Sequence, residues 1–208
     1  MWGGFEHYVP DAGDVHPMMV AGRPLVMVRG EDGQVRVFHN VCRHRGMRLV
    51  DAPARGRRRV QCAYHCWSYE LDGALAVTPY LDRGRGNTPP ADLAAELGLL
   101  PVASATWAGM VLVHLGPDPE PVDDLLAPLR ARWEHLDFSR LRLAEERGFD
   151  VEANWKLVVE NFLDFYHLPF VHPQVGVVSA ALDPGSRRTR RARITRSAIQ
   201  GRVWDSWR

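Results

Sequence analysis

Four residues of this chain have the types and spacing of metal ligands. Residues 42–46 read Cys-Arg-His-Arg-Gly and residues 62–66 read Cys-Ala-Tyr-His-Cys. The pattern is Cys42-x-His44, seventeen intervening residues, then Cys62-x2-His65. Two irons bridged by sulfide need two protein ligands each. Thiolates stabilise the iron that stays ferric, and neutral imidazoles on the other raise the reduction potential. Each short knuckle supplies one Cys and one His, so two knuckles side by side complete the set. Gly46 allows the tight backbone that such a loop needs. Structural zinc uses the same ligand types. A zinc finger, however, pairs Cys with Cys at one end and His with His at the other, whereas both ends here are mixed.

A second constellation follows about one hundred residues later, in Asn154-Trp-Lys-Leu-Val-Val-Glu-Asn-Phe-Leu-Asp-Phe-Tyr-His-Leu-Pro-Phe-Val-His-Pro173. Asp164 and His167 are three apart and share a helix face, with Glu160 four residues before Asp164 on the same face. His172 comes just after Pro169. Two imidazoles and one carboxylate on one side of an iron leave open positions suited to ferrous iron, dioxygen and substrate. A ligating His usually gives its other N–H to a carboxylate, which fixes its tautomer, and Asp164 has the spacing to do this for His167. Taken alone, two histidines near a helix end are more often structural than metal-binding.

The stretches CRHRGMRL and CAYHCWSYELDG resemble the two cluster loops of Rieske domains of the ring-hydroxylating oxygenase type, over about Trp2 to Leu115. The resemblance implies that Cys42 and Cys62 bind one iron of a [2Fe–2S] cluster and His44 and His65 the other. Respiratory Rieske proteins carry a further cysteine in each loop, forming a disulfide. Met47 and Tyr64 stand at those positions here, and Trp67 replaces a serine hydroxyl. Fewer hydrogen bonds to the sulfurs imply a lower potential. The third cysteine, Cys66, stands where the oxygenases carry a small residue and is expected to be a small buried hydrophobe.

Residues 154–173 resemble the helix of Rieske non-haem iron oxygenase catalytic subunits. By that resemblance His167 and His172 bind a mononuclear Fe(II). Asp164 is the electron bridge, hydrogen-bonding His167 and reaching His65 of a neighbouring subunit. Glu160 and Asn161 would line the site. The third ligand of the family is a carboxylate much later in the chain, and neither Asp183 nor Asp205 matches it. The expectation is therefore a truncated product: a whole Rieske domain and the opening of a catalytic domain. Its apolar residues Phe162, Phe165, Phe170, Trp204 and Trp207 would lack partners. The implied activity is hydroxylation, dihydroxylation or demethylation of a small organic substrate with O2. A ferredoxin or a flavin/iron–sulfur reductase would supply electrons, and the implied full-length form is a head-to-tail homotrimer. The alternative is a ferredoxin-like Rieske electron carrier, which has no use for Asp164, His167 and His172.

The elements that must position these residues follow from apolar patterning. Met18–Val20, Leu25–Arg29 and Val35–His39 read as strands, separated by Ala21-Gly22-Arg23-Pro24 and Glu31-Asp32-Gly33. Residues 61–71 and 74–78 flank a second Asp-Gly turn, and Trp107–Leu115 is a β-rich run ending at Gly116-Pro117. The expected fold is a mainly β Rieske domain at 1–118, an antiparallel β-sandwich with two cluster-binding loops. An acidic, Pro-rich linker and helix at 119–145 follows, capped by Asp123 or Asp124 and running to about Leu136. The opening of an α+β helix-grip catalytic domain takes 146–208. Within it, residues 149–152 look extended. A helix from Asn154 to about Leu168 carries the stripe Trp155, Val158, Val159, Phe162 and Tyr166, and Pro169 ends it.

Composition narrows the classes. The chain is 46% hydrophobic and 25% charged, enough for a packed core. Lys plus Arg is 26 against 25 Asp plus Glu, which gives no reason to expect nucleic acid or an anionic membrane as partner. No apolar run is long enough to span a membrane, and the first residues lack the pattern of a secretory signal. Three cysteines, two of them ligand candidates, argue against a disulfide framework and for a reducing cytoplasm. Arg55, Arg57, Arg58 and Arg59 lie between the knuckles. They read as a solvated loop, or as a docking face for an acidic ferredoxin. The arginine-rich stretch 187–208 reads as a solvated strand and loop region.

Overall fold

The computed structural model describes residues 1–81, 86–141, 143–164 and 166–172. The chain divides into two units, Met1–Ala144 and Glu145–Arg208. The stretch read as a linker with a helix thus falls almost entirely within the first unit. Residues 187–208, with Phe165, Asp183, Trp204, Asp205 and Trp207, lie outside the described residues.

Among its described residues the first unit has nine short strands, all paired antiparallel. β1 (Trp2–Phe5), β2 (Val15–Val20), β3 (Arg23–Arg29) and β4 (Val35–His39) come first. β5 (Val60–Gln61), β6 (Ser68–Tyr69) and β7 (Leu75–Val77) follow, then helix α1 (Ala91–Glu96), β8 (Pro101–Trp107) and β9 (Met110–His114). A six-stranded sheet runs β1-β9-β8-β4-β3-β2, and a three-stranded sheet runs β5-β6-β7. β1 also lies against β2, which curls the larger sheet nearly into a barrel. The expected antiparallel β fold is present, with the larger sheet forming a near-barrel that carries the small three-stranded sheet.

Turn chemistry explains the hairpins. β2 and β3 join through Ala21 and Gly22, and β8 and β9 through Ala108 and Gly109. All four turn residues have positive φ, which matches the twist of the flanking strands. The β-rich run Trp107–Leu115 thus comprises the end of β8, the turn and β9. Gly33 and Gly73 close the two Asp-Gly turns at φ 75° and 96°. At Gly73 a Cβ would come within 2.6 Å of the Phe38 ring, so close packing as well as φ demands glycine there.

β3 holds the two cores apart. Leu25 and Met27 pack with Val9, Val37, Val102, Val111 and Val113 on one side. Val26 and Val28 pack on the other side with Phe38, Leu49, Trp67, Tyr69, Leu71 and both ligand-candidate cysteines. A strand buried on both faces reads as a continuous apolar run, as Leu25–Val28 does. Each fully buried Val or Leu stabilises the unit by about 1.5–3 kcal/mol.

Helix α2 spans Val122–Arg132, shorter than expected. Its N-cap is Pro121 with no side-chain cap, and Asp123 and Asp124 sit in the first turn, where they favour the helix dipole. Leu126 is buried. Trp133 stacks on Trp107 at 5.7 Å, and Phe138 leans on both rings, which ties this stretch to the β8–β9 hairpin.

In the second unit, α3 spans Trp155–Leu163, with Asn154 as the N-cap accepting from the Lys156 N–H at 3.0 Å. The helix expected to reach Leu168 stops at Asp164, whose φ and ψ (−79°, 103°) are not helical. The short helix α4 (Leu168–Val171) then begins with Pro169 in its first turn. Pro169 therefore opens a helix rather than ending one, because a missing N–H costs nothing at that position. Residues 149–152 form no strand. No residue of α3 is buried, and Trp155, Phe162 and Phe170 are largely exposed.

Candidate metal centres

The two Cys/His loops are built alike. In the first, the Cys42 N–H donates to Met47 O at 2.7 Å and the Gly46 N–H to Cys42 O at 3.0 Å. In the second, the Cys62 N–H donates to Trp67 O at 2.8 Å and the Cys66 N–H to Cys62 O at 3.1 Å. Both loops turn on a residue with positive φ four places after the cysteine, Gly46 at 73° and Cys66 at 57°. This corrects the expectation for Cys66. It is exposed rather than buried, because the left-handed turn throws its side chain outward.

The first loop is anchored from below. Asn40, 2% exposed, donates through Nδ2 to Val50 O at 2.7 Å, and its Oδ1 accepts the N–H groups of Leu49 and Val50. The amide thereby closes the neck of the first loop. The Tyr69 hydroxyl lies 3.3 Å from Cys42 Sγ and accepts the Arg43 N–H at 3.0 Å. Burial pushes the tyrosine hydroxyl far above its usual value, so it stays a donor. Neither residue stood out in the sequence. The available signals were a polar Asn interrupting an apolar stretch at a strand end, and a Tyr within the strand after the second knuckle.

The tips bring together the four sequence-predicted ligands. Cys42 and Cys62 are buried and lie against each other, while the His44 and His65 rings meet at 4.7 Å. Burial pushes the Cys42 thiol up, with the Tyr69 hydroxyl opposing. Partial desolvation first, then the charges of His65 and Arg45, lower the His44 imidazole from its ordinary value, which favours the neutral form that can ligate. Two thiols on one side and two imidazoles on the other match the donor set of a two-iron cluster with unlike irons. No group of three His, Cys, Asp or Glu side chains among the described residues is gathered closely enough to hold one ion. A cluster that takes two ligands per iron needs none.

The arginines between the knuckles do not form one basic face. Arg55 pairs with buried Asp14 at 2.7 Å, and Arg59 pairs with Glu70 at 2.7 Å. Arg58 borders a hollow with Glu31, Asp32, Glu70 and Asp72. Acidic neighbours therefore offset most of the run.

The second constellation sits around α4. Asp164 caps the end of α3, His167 stands at the N-cap of α4, and His172 at its C-cap. His167 Nδ1 is 2.9 Å from Asp164 Oδ2, and Asp164 Oδ1 accepts the Tyr166 N–H at 2.7 Å. These bonds, that to His167 first, hold the Asp164 carboxyl below its usual range. A carboxylate can only accept, so Nδ1 carries a proton in this bond, and in the neutral ring that arrangement leaves the lone pair on Nε2. The two imidazoles lie 5.7 Å apart, ring centre to ring centre. Glu160 and Asn161 are exposed on α3.

Comparison with known proteins agrees with both regions. Residues 4–101 match the Rieske [2Fe-2S] domain, and residues 138–206 match the catalytic domain of the ring hydroxylating alpha subunit. Among curated proteins, the chain is 36% identical over 173 residues to the glycine betaine monooxygenase oxygenase subunit of Pseudomonas aeruginosa, covering 83% of this chain and 39% of that protein. It is 33% identical to the carnitine monooxygenase oxygenase subunit of Escherichia coli K12, covering 78% of this chain and 43% of that one. Among solved structures, a quaternary ammonium Rieske monooxygenase in complex with L-carnitine superposes with a TM-score of 0.69 at 26% identity, covering 85% of this chain and 49% of that one. Naphthalene 1,2-dioxygenase from Rhodococcus sp. gives 0.70 at 26% identity, covering 86% and 41%. The chain spans about two fifths of the length of the curated relatives it matches. With both segments in the family's order and its two knuckles folded alike, the chain belongs to the Rieske oxygenases of the ring-hydroxylating alpha-subunit family.

Proposed function

We propose that this chain is part of a Rieske-type oxygenase component, holding its electron-entry centre and the beginning of its oxygen-activating centre. The observation that carries the reading is the pairing of two matched Cys/His loops with the Asp164–His167 hydrogen bond and His172. Cys42 and Cys62 would hold one iron of the [2Fe–2S] cluster, and His44 and His65 the other. His167 and His172 would hold a mononuclear Fe(II), with the carboxylate ligand left unassigned. When bound, the cluster supplies one-electron transfer and the ferrous ion supplies dioxygen activation.

The chain's own residues do the rest. The buried cysteines keep water from the sulfur side, and exposed His44 makes the outward edge of the site. Asp164 fixes the tautomer of His167 and raises its basicity as a ligand. In a head-to-tail trimer the same carboxylate would bridge to His65 of the next subunit. A ferredoxin or a flavin/iron–sulfur reductase would be the electron donor, in the cytoplasm, where the thiols stay reduced. The substrate is a small organic molecule that is hydroxylated, dihydroxylated or demethylated. Glycine betaine, carnitine and salicylate, named for the relatives, make the first panel.

The test is metal and sulfide content after anaerobic handling. The reading expects about three irons and about two acid-labile sulfides per chain. Replacing both His167 and His172 by Ala should remove about one iron and leave the visible cluster spectrum intact. Colourless protein with no EPR signal on dithionite treatment, or bound zinc in place of iron, would overturn the first centre. An unchanged iron count in the double variant would overturn the second.

A further inference from the structure

We propose that Trp67 is a positioning residue for the cluster, fixing the ring plane of His44 across the two loops. The inference rests on the ligand assignment above. His44 belongs to the first loop and Trp67 follows the second. The indole lies nearly parallel to the imidazole, with ring centres 4.7 Å apart and planes 7° from parallel. Trp67 is 4% exposed and packs in the core that contains both cysteines, so it is itself immobile. Its carbonyl accepts the Cys62 N–H at 2.8 Å. One residue therefore fastens to a thiol ligand through its backbone and to an imidazole ligand through its side chain.

The need for such a support follows from what His44 lacks. A metal-bound imidazole is usually oriented by a hydrogen bond from its other ring nitrogen to a carboxylate or carbonyl. Among the described residues the His44 ring has no hydrogen bond. Its contacts are the Trp67 face and the edge of His65. Stacking therefore takes over the orienting role for this ligand. His65 differs. Its aromatic neighbour Tyr64 is nearer, with ring centres 3.8 Å apart, but it is tilted by 32° and 59% exposed, so it is not held by the core as Trp67 is. One imidazole is held from within the chain, and the other is left to be oriented from outside it.

The experiment compares the cluster-loaded wild type with Trp67→Leu and Trp67→Phe in the full chain. Iron and sulfide per chain report loading. Pulsed EPR of the dithionite-reduced protein reports the magnetic couplings of the two ligating imidazole nitrogens, which depend on ring orientation. The expected result for Trp67→Leu is a shift and broadening of one nitrogen's couplings, with the other's unchanged. Trp67→Phe, which keeps a smaller ring, should show a lesser broadening of the same nitrogen. A purely structural role would lower loading and leave the couplings of the loaded fraction superimposable on wild type. That outcome overturns the proposal, and if Trp67→Leu does not load, unchanged couplings in Trp67→Phe overturn it alone. A wild type without a cluster instead removes the ligand assignment, so the two failures are distinguishable.

Discussion

Replacing Cys66 by Gly should stabilise the protein. Cys66 adopts φ 57° in a loop whose counterpart places Gly46 at 73°. A side chain with a Cβ pays about 1–2 kcal/mol in this region of backbone space. Glycine gives back about 0.5–1 kcal/mol through the greater freedom of its unfolded chain. Cys66 is exposed, so no buried apolar contact is lost. The net gain is about 0.5–1 kcal/mol, or roughly 2–5 °C in Tm for a unit of this size. Urea unfolding of the cluster-loaded protein, followed by cluster absorbance and by far-UV circular dichroism, measures it. Cys66→Ala is the control, since it removes the sulfur and keeps the strain. A midpoint for Cys66→Gly that does not rise, or rises no more than that of Cys66→Ala, refutes the reasoning.

Three further outcomes follow from the same geometry. Gly46→Ala should cost about 1 kcal/mol in the same urea assay. Nothing lies within 4 Å of the added Cβ, so the loss is backbone strain alone. Asn40→Ala breaks three hydrogen bonds and leaves the Leu49 and Val50 N–H groups and the Val50 carbonyl without partners in a buried neck. The cost is about 2–4 kcal/mol, and iron per chain should fall with it. Asp14 is buried, which raises its carboxyl, but the Asp11 N–H, Arg55 and the Gly56 N–H outweigh burial and hold it below the ordinary aspartate range. A depressed carboxyl stabilises above its unfolded value, and that contribution disappears as pH falls through the folded one. Asp14→Asn turns a donor toward the Asp11 N–H and Arg55, and should cost about 2–3 kcal/mol at neutral pH. The deficit against wild type should shrink below about pH 4 in acid-unfolding curves, and a pH-independent deficit would exclude this role.

The candidate ligands stand out in the chain because the spacing within each knuckle is local. Cys42 and His44, or Cys62 and His65, sit on one loop whatever the rest of the molecule does, and Gly46 marks the turn. The same locality made the Asp164–His167 pair readable, since three residues is hydrogen-bond reach in any helical turn. Readings that needed more than local pattern went astray. The sequence pattern ends a helix at Pro169, whereas the structure breaks it at Asp164, which turns to accept the Tyr166 N–H. Cys66 was read as buried, since hydrophobicity carries no information about a left-handed turn.

What determines the setting of the site comes from chain-distant partners. Tyr69 reaches Cys42 from twenty-seven residues away and Asp14 holds Arg55 from forty-one. Trp67 meets His44 only because the two cluster loops, from different sheets, come together. The candidate ligands are set by residue type and spacing, which are covalent facts. Which of them are buried, how their rings are oriented and which arginines are neutralised were decided by tertiary structure. Those properties depend on contacts between segments whose proximity no local pattern encodes.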